Sequence, residues 1–233
     1  MKKLTSAIFL CSGKGGVGKT FGAIVLSSLL RALKIPHALA NVEVHGQELV
    51  RFYPDALDLT MSEVAVNTGR SPLDKILEVL LKERSHLVVD TGANVGRGIL
   101  EWMEGVGFLD LCAEEGIRVS FGVVVAAFDR DTLEFANKLY DYAGDDVTWY
   151  TLQATHTGDN FDMFSEIVAK SKATVIAMPS IWSDTMELSK RRAQPFLKLA
   201  ADSNLDIAER QRSAMAARRF EEAFRPIIRG LFK

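Results

Sequence analysis

The sequence predicts an α/β fold, a doubly wound and mostly parallel sheet with helices on both faces. Three observations carry this. Apolar strand-like runs alternate along the chain with segments of helical period. Those runs are continuously apolar rather than alternating, as strands covered on both faces must be. The first of them ends in a glycine-rich turn that opens straight into a helix.

The elements follow in order. Residues 7–12 (AIFLCS) form the first strand and 19–33 (KTFGAIVLSSLLRAL) the helix after it. A turn at Pro36 leads to the strand 37–42 (HALANV). In 71–84 (SPLDKILEVLLKER), Ser71 stands as N-cap, Pro72 at the first helical position and Asp74 in the first turn. Next comes the strand 86–90 (HLVVD), and then 118–128, 147–155 and 173–178 are strands separated by helical segments, about six strands in all. No repeat, low-complexity tract or linker interrupts the pattern, so 1–233 reads as one domain with a helical C-terminal segment from about 203.

Composition fits this frame. The 233 residues are 48% hydrophobic and 25% charged, enough apolar material for a sizeable core in a soluble protein. Net charge is -2, but the balance shifts: residues 1–150 hold 15 Lys+Arg against 20 Asp+Glu, and 151–233 hold 13 against 10. Two cysteines, Cys11 and Cys112, make no disulfide framework and no C-x-x-C pair; each reads as a small buried hydrophobe in a cytoplasmic protein. The lysines before the first apolar run give a faint look of a secretory signal, but Thr5 and Ser6 interrupt it and it runs directly into a motif that needs a strand there. No apolar run reaches the ~18 residues of a membrane span.

The glycine-rich turn, GKGGVGKT at 13–20, satisfies two templates. Gly13, Gly15 and Gly18 match the dinucleotide fingerprint G-x-G-x-x-G, for which Glu43 near the end of the second strand would take the ribose. Gly13, Gly18, Lys19 and Thr20 match the phosphate loop G-x-x-x-x-G-K-[ST]. The dinucleotide reading leaves Lys19 and Thr20 without a task. In a phosphate loop the backbone N–H groups of 14–20 wrap the phosphates, Lys19 neutralises the β- and γ-oxygens, and the Thr20 hydroxyl binds Mg²⁺. The later strand HLVVD ends in a carboxylate, Asp90, placed to hold that magnesium or its water. The sequence therefore points to a phosphate-loop nucleotide-binding fold.

Lys14 is one lysine more than a phosphate loop requires. With it, the spelling KGGVGKT resembles the deviant Walker A box of the ParA/MinD family of ATPases, which includes plasmid-partition and division-site positioning proteins. The resemblance implies an ATP-sandwiched homodimer in which Lys14 reaches the partner's phosphates, supplying in trans the charge an arginine finger supplies elsewhere. It implies slow, Mg²⁺-dependent ATP hydrolysis stimulated by a partner protein. The family's switch I carries Asp-x-Asp where this chain has Asn41-Val42-Glu43; Glu43 falls on the acid that orients the attacking water, while Asn41 keeps the first acid's shape without its charge. His45 and Gln47 follow as polar loop residues. Switch II corresponds to 90–98 (DTGANVGRG), whose three glycines suit a loop that moves, with Arg97 facing a partner or solvent.

The resulting site set is Gly13, Lys14, Gly15, Gly16, Val17, Gly18, Lys19, Thr20 and Phe21 at the phosphates, with Lys14, Lys19 and Glu43 catalytic and Thr20 and Asp90 at the metal. Asn-Lys occurs at 137–140 (NKLY) without the aspartate of the guanine reader N-K-x-D, so ATP is favoured. The adenine is expected near 152–156 and 178–181, with Gln153 and Pro179 as contacts.

For the surface engaged, two patterns stand out. Lys190, Arg191 and Arg192 cluster, and Arg210, Arg212, Arg218, Arg219, Arg225 and Arg229 recur through the last segment. They form either a non-specific DNA-binding face or a solvated helix paired with Glu209, Glu221 and Glu222. FRPIIRGLFK at 224–233 looks like the membrane anchor of the MinD branch, but Pro226 and Gly230 disturb an interfacial helix; Phe220, Phe224, Ile227, Ile228 and Leu231 read more simply as core. Trp149 and Trp182 read as packing residues. The function expected is an ATP-dependent switch for plasmid or DNA partition, positioning or conjugative transfer, nucleoid-associated or at the membrane periphery. The alternative is a nucleotide-gated regulator with little hydrolysis.

Overall fold

The computed structural model describes residues 4–44, 46–59, 71–92 and 95–232; His45, one residue of the expected switch I, lies outside them, as do Ala93 and Asn94 of switch II. Among the described residues the chain runs β1 (Thr5–Cys11), α1 (Lys19–Ala32), β2 (His37–Val42), α2 (Glu48–Phe52), β3 (Leu57–Asp58), α3 (Asp74–Leu77) and β4 (His86–Thr91). It continues with α4 (Gly96–Gly105), α5 (Phe108–Glu114), β5 (Ile117–Val125), α6 (Arg130–Ala143), β6 (Thr148–Ala154), α7 (Ser165–Ser171) and β7 (Thr174–Met178). The last three helices are α8 (Ser183–Arg192), α9 (Phe196–Ala201) and α10 (Ile207–Leu231).

Every strand pairing is parallel, in the order β3-β2-β4-β1-β5-β6-β7. The fold is the doubly wound α/β sheet expected, with one strand more than the sequence showed. The additional strand, β3, is two residues long and has no apolar run to announce it.

Burial on both faces follows from β1 itself. Ile8 and Leu10 point into a core shared with α1, α2, α8, α9 and α10, while Ala7, Phe9 and Cys11 point into the core beneath α3 to α7. Both Cys11 and Cys112 are buried free thiols.

Other boundaries moved for local reasons. Ser71 accepts a hydrogen bond from the Leu73 N–H (3.2 Å) and so closes a turn; the regular helix starts only at Asp74 and passes into a π-helical turn, Glu78–Lys82. Gly96 and Gly98 belong to the first turn of α4 rather than to a loop, and a Cβ on Gly96 would meet the Phe135 ring at 2.6 Å. Trp149 packs as expected, but Trp182 does not: it caps α8 and is 64% exposed.

The C-terminal helix is not broken by Pro226 or Gly230. A capping box between Asp206 and Glu209 starts it, and it runs 25 residues. Pro226 falls on its exposed side, and Gly230 is where the Tyr150 hydroxyl comes too close for a Cβ, at 2.6 Å. Phe220, Phe224, Ile227, Ile228 and Leu231 are all buried, each such side chain contributing about 1.5–3 kcal/mol. The apolar face a membrane foot needs is therefore spent on the core. No helix among the described residues is long and apolar enough to cross a membrane.

Phe224→Ala should cost about 3–5 kcal/mol in denaturant unfolding, against less than about 0.5 for Arg225→Ala one position on.

Candidate functional site

The loop between β1 and α1 lies at the C-terminal edge of the sheet, the side on which open α/β sheets bind ligands. Its glycines have separate reasons. Gly16 and Gly18 take φ of 75° and 103°, in the left-handed region. Gly13 sits so close to the start of α6 that a Cβ would lie 2.3 Å from the Asp131 carbonyl oxygen. Val17 is buried in the core beneath the loop, anchoring it.

The loop's first half is wired to α6. The Lys14 N–H donates to Ser12 Oγ (3.3 Å), Ser12 Oγ lies 2.9 Å from Thr132 Oγ1, and Thr132 Oγ1 donates to Asp129 Oδ2 (2.6 Å). Because the Thr132 proton is committed to Asp129, Ser12 is the donor to Thr132. The protons therefore run one way, from loop to carboxylate. The second half is latched by its own lysine: Lys19 Nζ donates to the Lys14 carbonyl at 2.7 Å across the loop. The Lys14 side chain is exposed.

Lys19 is only 6% exposed, and burial pulls its ammonium below the usual lysine range, opposed chiefly by the nearby Asp90. Asp90 is 1% exposed, at the end of β4, in register with Leu10 of β1 and Asn41 of β2. Among the described residues neither of its carboxyl oxygens has a hydrogen-bond partner. Burial pushes this carboxyl up to about 7, held back by the Thr20 hydroxyl and Lys19 and pushed further by Glu43 and Glu48. The Thr20 hydroxyl is close enough to act on Asp90 without satisfying it.

Thr20 and Asp90 therefore fit a hydrated divalent cation. A hard cation that keeps its waters would give this orphaned carboxylate the partners it lacks and favour its ionised form. The described residues hold no cluster of three or more His, Cys, Asp or Glu that could bind a metal alone, so the remaining ligands would come from water and phosphate.

Glu43 sits beyond the end of β2, bracketed by glycines. A Cβ on Gly46 would lie 2.6 Å from one carboxylate oxygen, and one on Gly92 would lie 2.8 Å from the other. Asn41 is a brace: its Nδ2 donates to the Gly46 carbonyl (2.9 Å) and lies 3.4 Å from Asp58 Oδ1. An aspartate there would add a carboxylate facing Asp58 and in register with Asp90, which gives the neutral amide a structural reason. Arg97 pairs with Glu101 on its own helix at 2.7 Å.

These groups open onto a cavity of about 410 Å³. Gly15, Gly16, Gly18, Lys19, Thr20 and Phe21 line it with Glu43, Glu48 and Gly92 at one end. The other end is apolar, made by Met178, Pro179, Ile181, Met186 and Phe220 with His156, Ser180 and Lys190. Pro179, expected as an adenine contact, is among the lining residues of this end. Gln153 is not among the lining residues; it lies within β6, between Val125 and Ala177 of the neighbouring strands. Glu48, Met186 and Phe220 had no signal in the sequence, since each belongs to a helix that reaches the cavity only through tertiary packing. Lys190 was read as part of a surface cluster, yet its side chain borders the cavity.

Strand order weighs against the dinucleotide template. That fold places its second strand beside its first, whereas here β4 lies between β1 and β2 and brings Asp90 next to the loop. Lys19, Thr20 and Asp90 are what a phosphate loop needs together.

No family model and no curated protein matches this chain. Among solved structures, the MinD cell division protein of Aquifex aeolicus aligns over 94% of this chain and 98% of its own, with 15% identity and a TM-score of 0.49. The Cyanothece McdA(D38A)–ATP complex aligns over 96% of both chains with 13% identity and a TM-score of 0.44. The signal recognition particle receptor FtsY from Elizabethkingia anophelis, in complex with GDP, aligns over 76% of this chain and 57% of its own, with 11% identity and a TM-score of 0.46. At these identities and scores the likenesses carry no residue role and no activity over to this chain.

Because the folded-state value of Asp90, about 7, lies above its ordinary 3.8, this group's contribution to stability is present below 3.8 and is lost as pH rises to about 7. Without nucleotide or divalent ion, wild type should lose stability between pH 4 and 7 relative to Asp90→Asn, a gap that chemical denaturation at pH 5 and 8 will show.

Proposed function

We propose that this chain is a ParA/MinD-like ATPase that binds ATP with Mg²⁺ in the cavity above β1 and β4. The observation that carries the reading is a buried, unpartnered Asp90 beside Lys19 and Thr20, at the mouth of a loop spelled KGGVGKT. A triphosphate gives each of these groups a partner: Lys19 leaves the Lys14 carbonyl for the β- and γ-oxygens, and the loop amides take the rest. Bound Mg²⁺ would supply charge neutralisation at the phosphates. The apolar end formed by Met178, Pro179 and Ile181 suits a purine, and 137–140 gives no guanine reader because Asn137 is spent inside α6 on the Leu133 carbonyl (2.9 Å).

In hydrolysis, a water attacks the γ-phosphorus, the bond to the β–γ bridging oxygen breaks, and ADP and phosphate leave. Glu43, held between Gly46 and Gly92 at the phosphate end, is the group that orients this water. Lys14, exposed on the loop, is available to a second copy, whose phosphates it neutralises in an ATP-dependent dimer. The roles built on that cycle are plasmid or DNA partition, positioning or conjugative transfer, with a partner protein accelerating turnover. Arg218, Arg225 and Arg229 are exposed along α10 and favour DNA over membrane as the surface engaged.

A second reading, a nucleotide-gated regulator that hardly hydrolyses, is favoured by Asn41. Its amide is committed to bracing the loop after β2.

Purified protein should hydrolyse ATP slowly and only with Mg²⁺. Lys19→Ala should lose turnover and nucleotide binding, while Lys14→Ala should still bind ATP but lose turnover on the order of 100-fold and fail to dimerise in light scattering. Normal dimerisation and hydrolysis by Lys14→Ala would remove the cross-dimer role; tight ATP binding without turnover in wild type would select the second reading.

A further inference from the structure

A second hollow, of about 260 Å³, lies between the start of α8 and one stripe of α10. Trp182 and Ile181 form one wall, and Arg212, Met215, Ala216 and Arg219 form the other at helical spacing i, i+3, i+4, i+7. Two large apolar side chains stand in solvent there: Trp182 is 64% and Met215 50% exposed. The Arg212 guanidinium stacks over the Trp182 ring at 5.2 Å. The lining contains no carboxylate, and among the described residues neither Arg212 nor Arg219 forms an ion pair.

We propose that this groove docks an amphipathic helix of a partner protein, with apolar side chains on Trp182 and Met215 and carboxylates on Arg212 and Arg219. Charge complementarity selects the occupant. Covering two unpaired guanidiniums with apolar surface alone would strand them out of water, so whatever seals the groove brings its own acids. The volume falls below the roughly 300 Å³ at which small-molecule pockets begin, but it accommodates one or two anchor side chains of a helix. A phosphate backbone would use the arginines and leave the indole and thioether floor without purpose.

The groove shares its walls with the nucleotide cavity. Ile181 lines both; Thr185 faces the groove and Met186 the cavity; Ala216 faces the groove and Phe220, one turn on, the cavity. A helix wedged between α8 and α10 therefore acts on the base end of the site, and by linkage the nucleotide acts equally on the helix. This coupling rests on the ATPase reading; the docking itself does not.

The test uses the full chain and two synthetic helical peptides of about 20 residues. Both carry leucines at i, i+3, i+4 and i+7; one is flanked by glutamates, the other by lysines. A duplex DNA oligomer is the third probe. Trp102 and Trp149 are 8% and 5% exposed, so acrylamide quenching of tryptophan fluorescence reports Trp182.

The glutamate peptide should protect Trp182. Its anisotropy-measured affinity should fall about tenfold or more in Arg212→Glu, Arg219→Glu and Met215→Asp, and the lysine peptide should not bind. All three positions are exposed on α10, and unchanged melting temperatures will show that the variants fold. Equal binding of both peptides, or binding of neither, overturns the proposal. So does DNA binding that is lost in the arginine variants but intact in Met215→Asp, which would make the stripe a polyanion face. Saturating peptide should change ATP affinity at least about threefold. Peptide binding with ATP affinity unmoved overturns the coupling alone; peptide binding in a chain that takes up no ATP overturns the ATPase reading and leaves the docking standing.

Discussion

Keeping two opposite charges dry, Lys19 at the start of α1 and Asp90 at the end of β4, is the constraint around which this edge of the sheet is arranged. Desolvating an ion costs several kcal/mol unless partners replace the lost water. Lys19 recovers part of that cost from the Lys14 carbonyl, while Asp90 recovers none from a hydrogen bond among the described residues. Such an arrangement is a poor way to stabilise a fold and a good way to prepare an anion site. The loop is closed on its own cation, and the carboxylate is poised near neutrality behind it. Strand order makes this possible, because only with β4 inserted between β1 and β2 does Asp90 come beside the loop.

Around that pair, the surroundings are fixed by short-range sterics more than by charge. Gly13 lies against the Asp131 carbonyl, Gly46 and Gly92 clamp the Glu43 carboxylate, and the Ser12–Thr132–Asp129 chain joins the Lys14 amide to the first turn of α6. A side chain at any of the three glycines would have to displace backbone or a carboxylate. The base end is made differently, from apolar groups on β7, α8 and α10 that also serve the core. Precision is thus concentrated where the phosphates would lie, and the base end is a matter of packing.

This division explains what could be read in advance. The parallel sheet was legible because strands such as β1 must be apolar on both faces, and the phosphate loop because its glycines and Lys19 have individual backbone or charge requirements that permit few other residues. Strand β3 was not, since two residues carry no period. Glu48 and Phe220 were not, since a helix residue's presence in a cavity depends on where its helix packs. Trp182 was read as a packing residue because indole burial is the usual outcome, and nothing local marks a helix cap that leaves it in solvent. The disturbance expected at Pro226 does not interrupt the helix, because the ring lies on the outer side of a helix held by six buried apolar side chains from Ala217 to Leu231.

The far end of α10 closes on the start of the chain. Ser6 in β1 donates to the Leu231 carbonyl, 225 residues later, and Arg118 in β5 donates to the Gly230 carbonyl. The covering of the sheet's central strand, begun by α1, is thus completed only after nearly every other element has been synthesised. During translation, the face of β1 carrying Ile8 and Leu10 has α1 against it but still lacks the last part of its core while α10 is inside the ribosome. So large a sequence separation between contacting segments slows folding and lengthens the interval in which sticky strands can meet other chains.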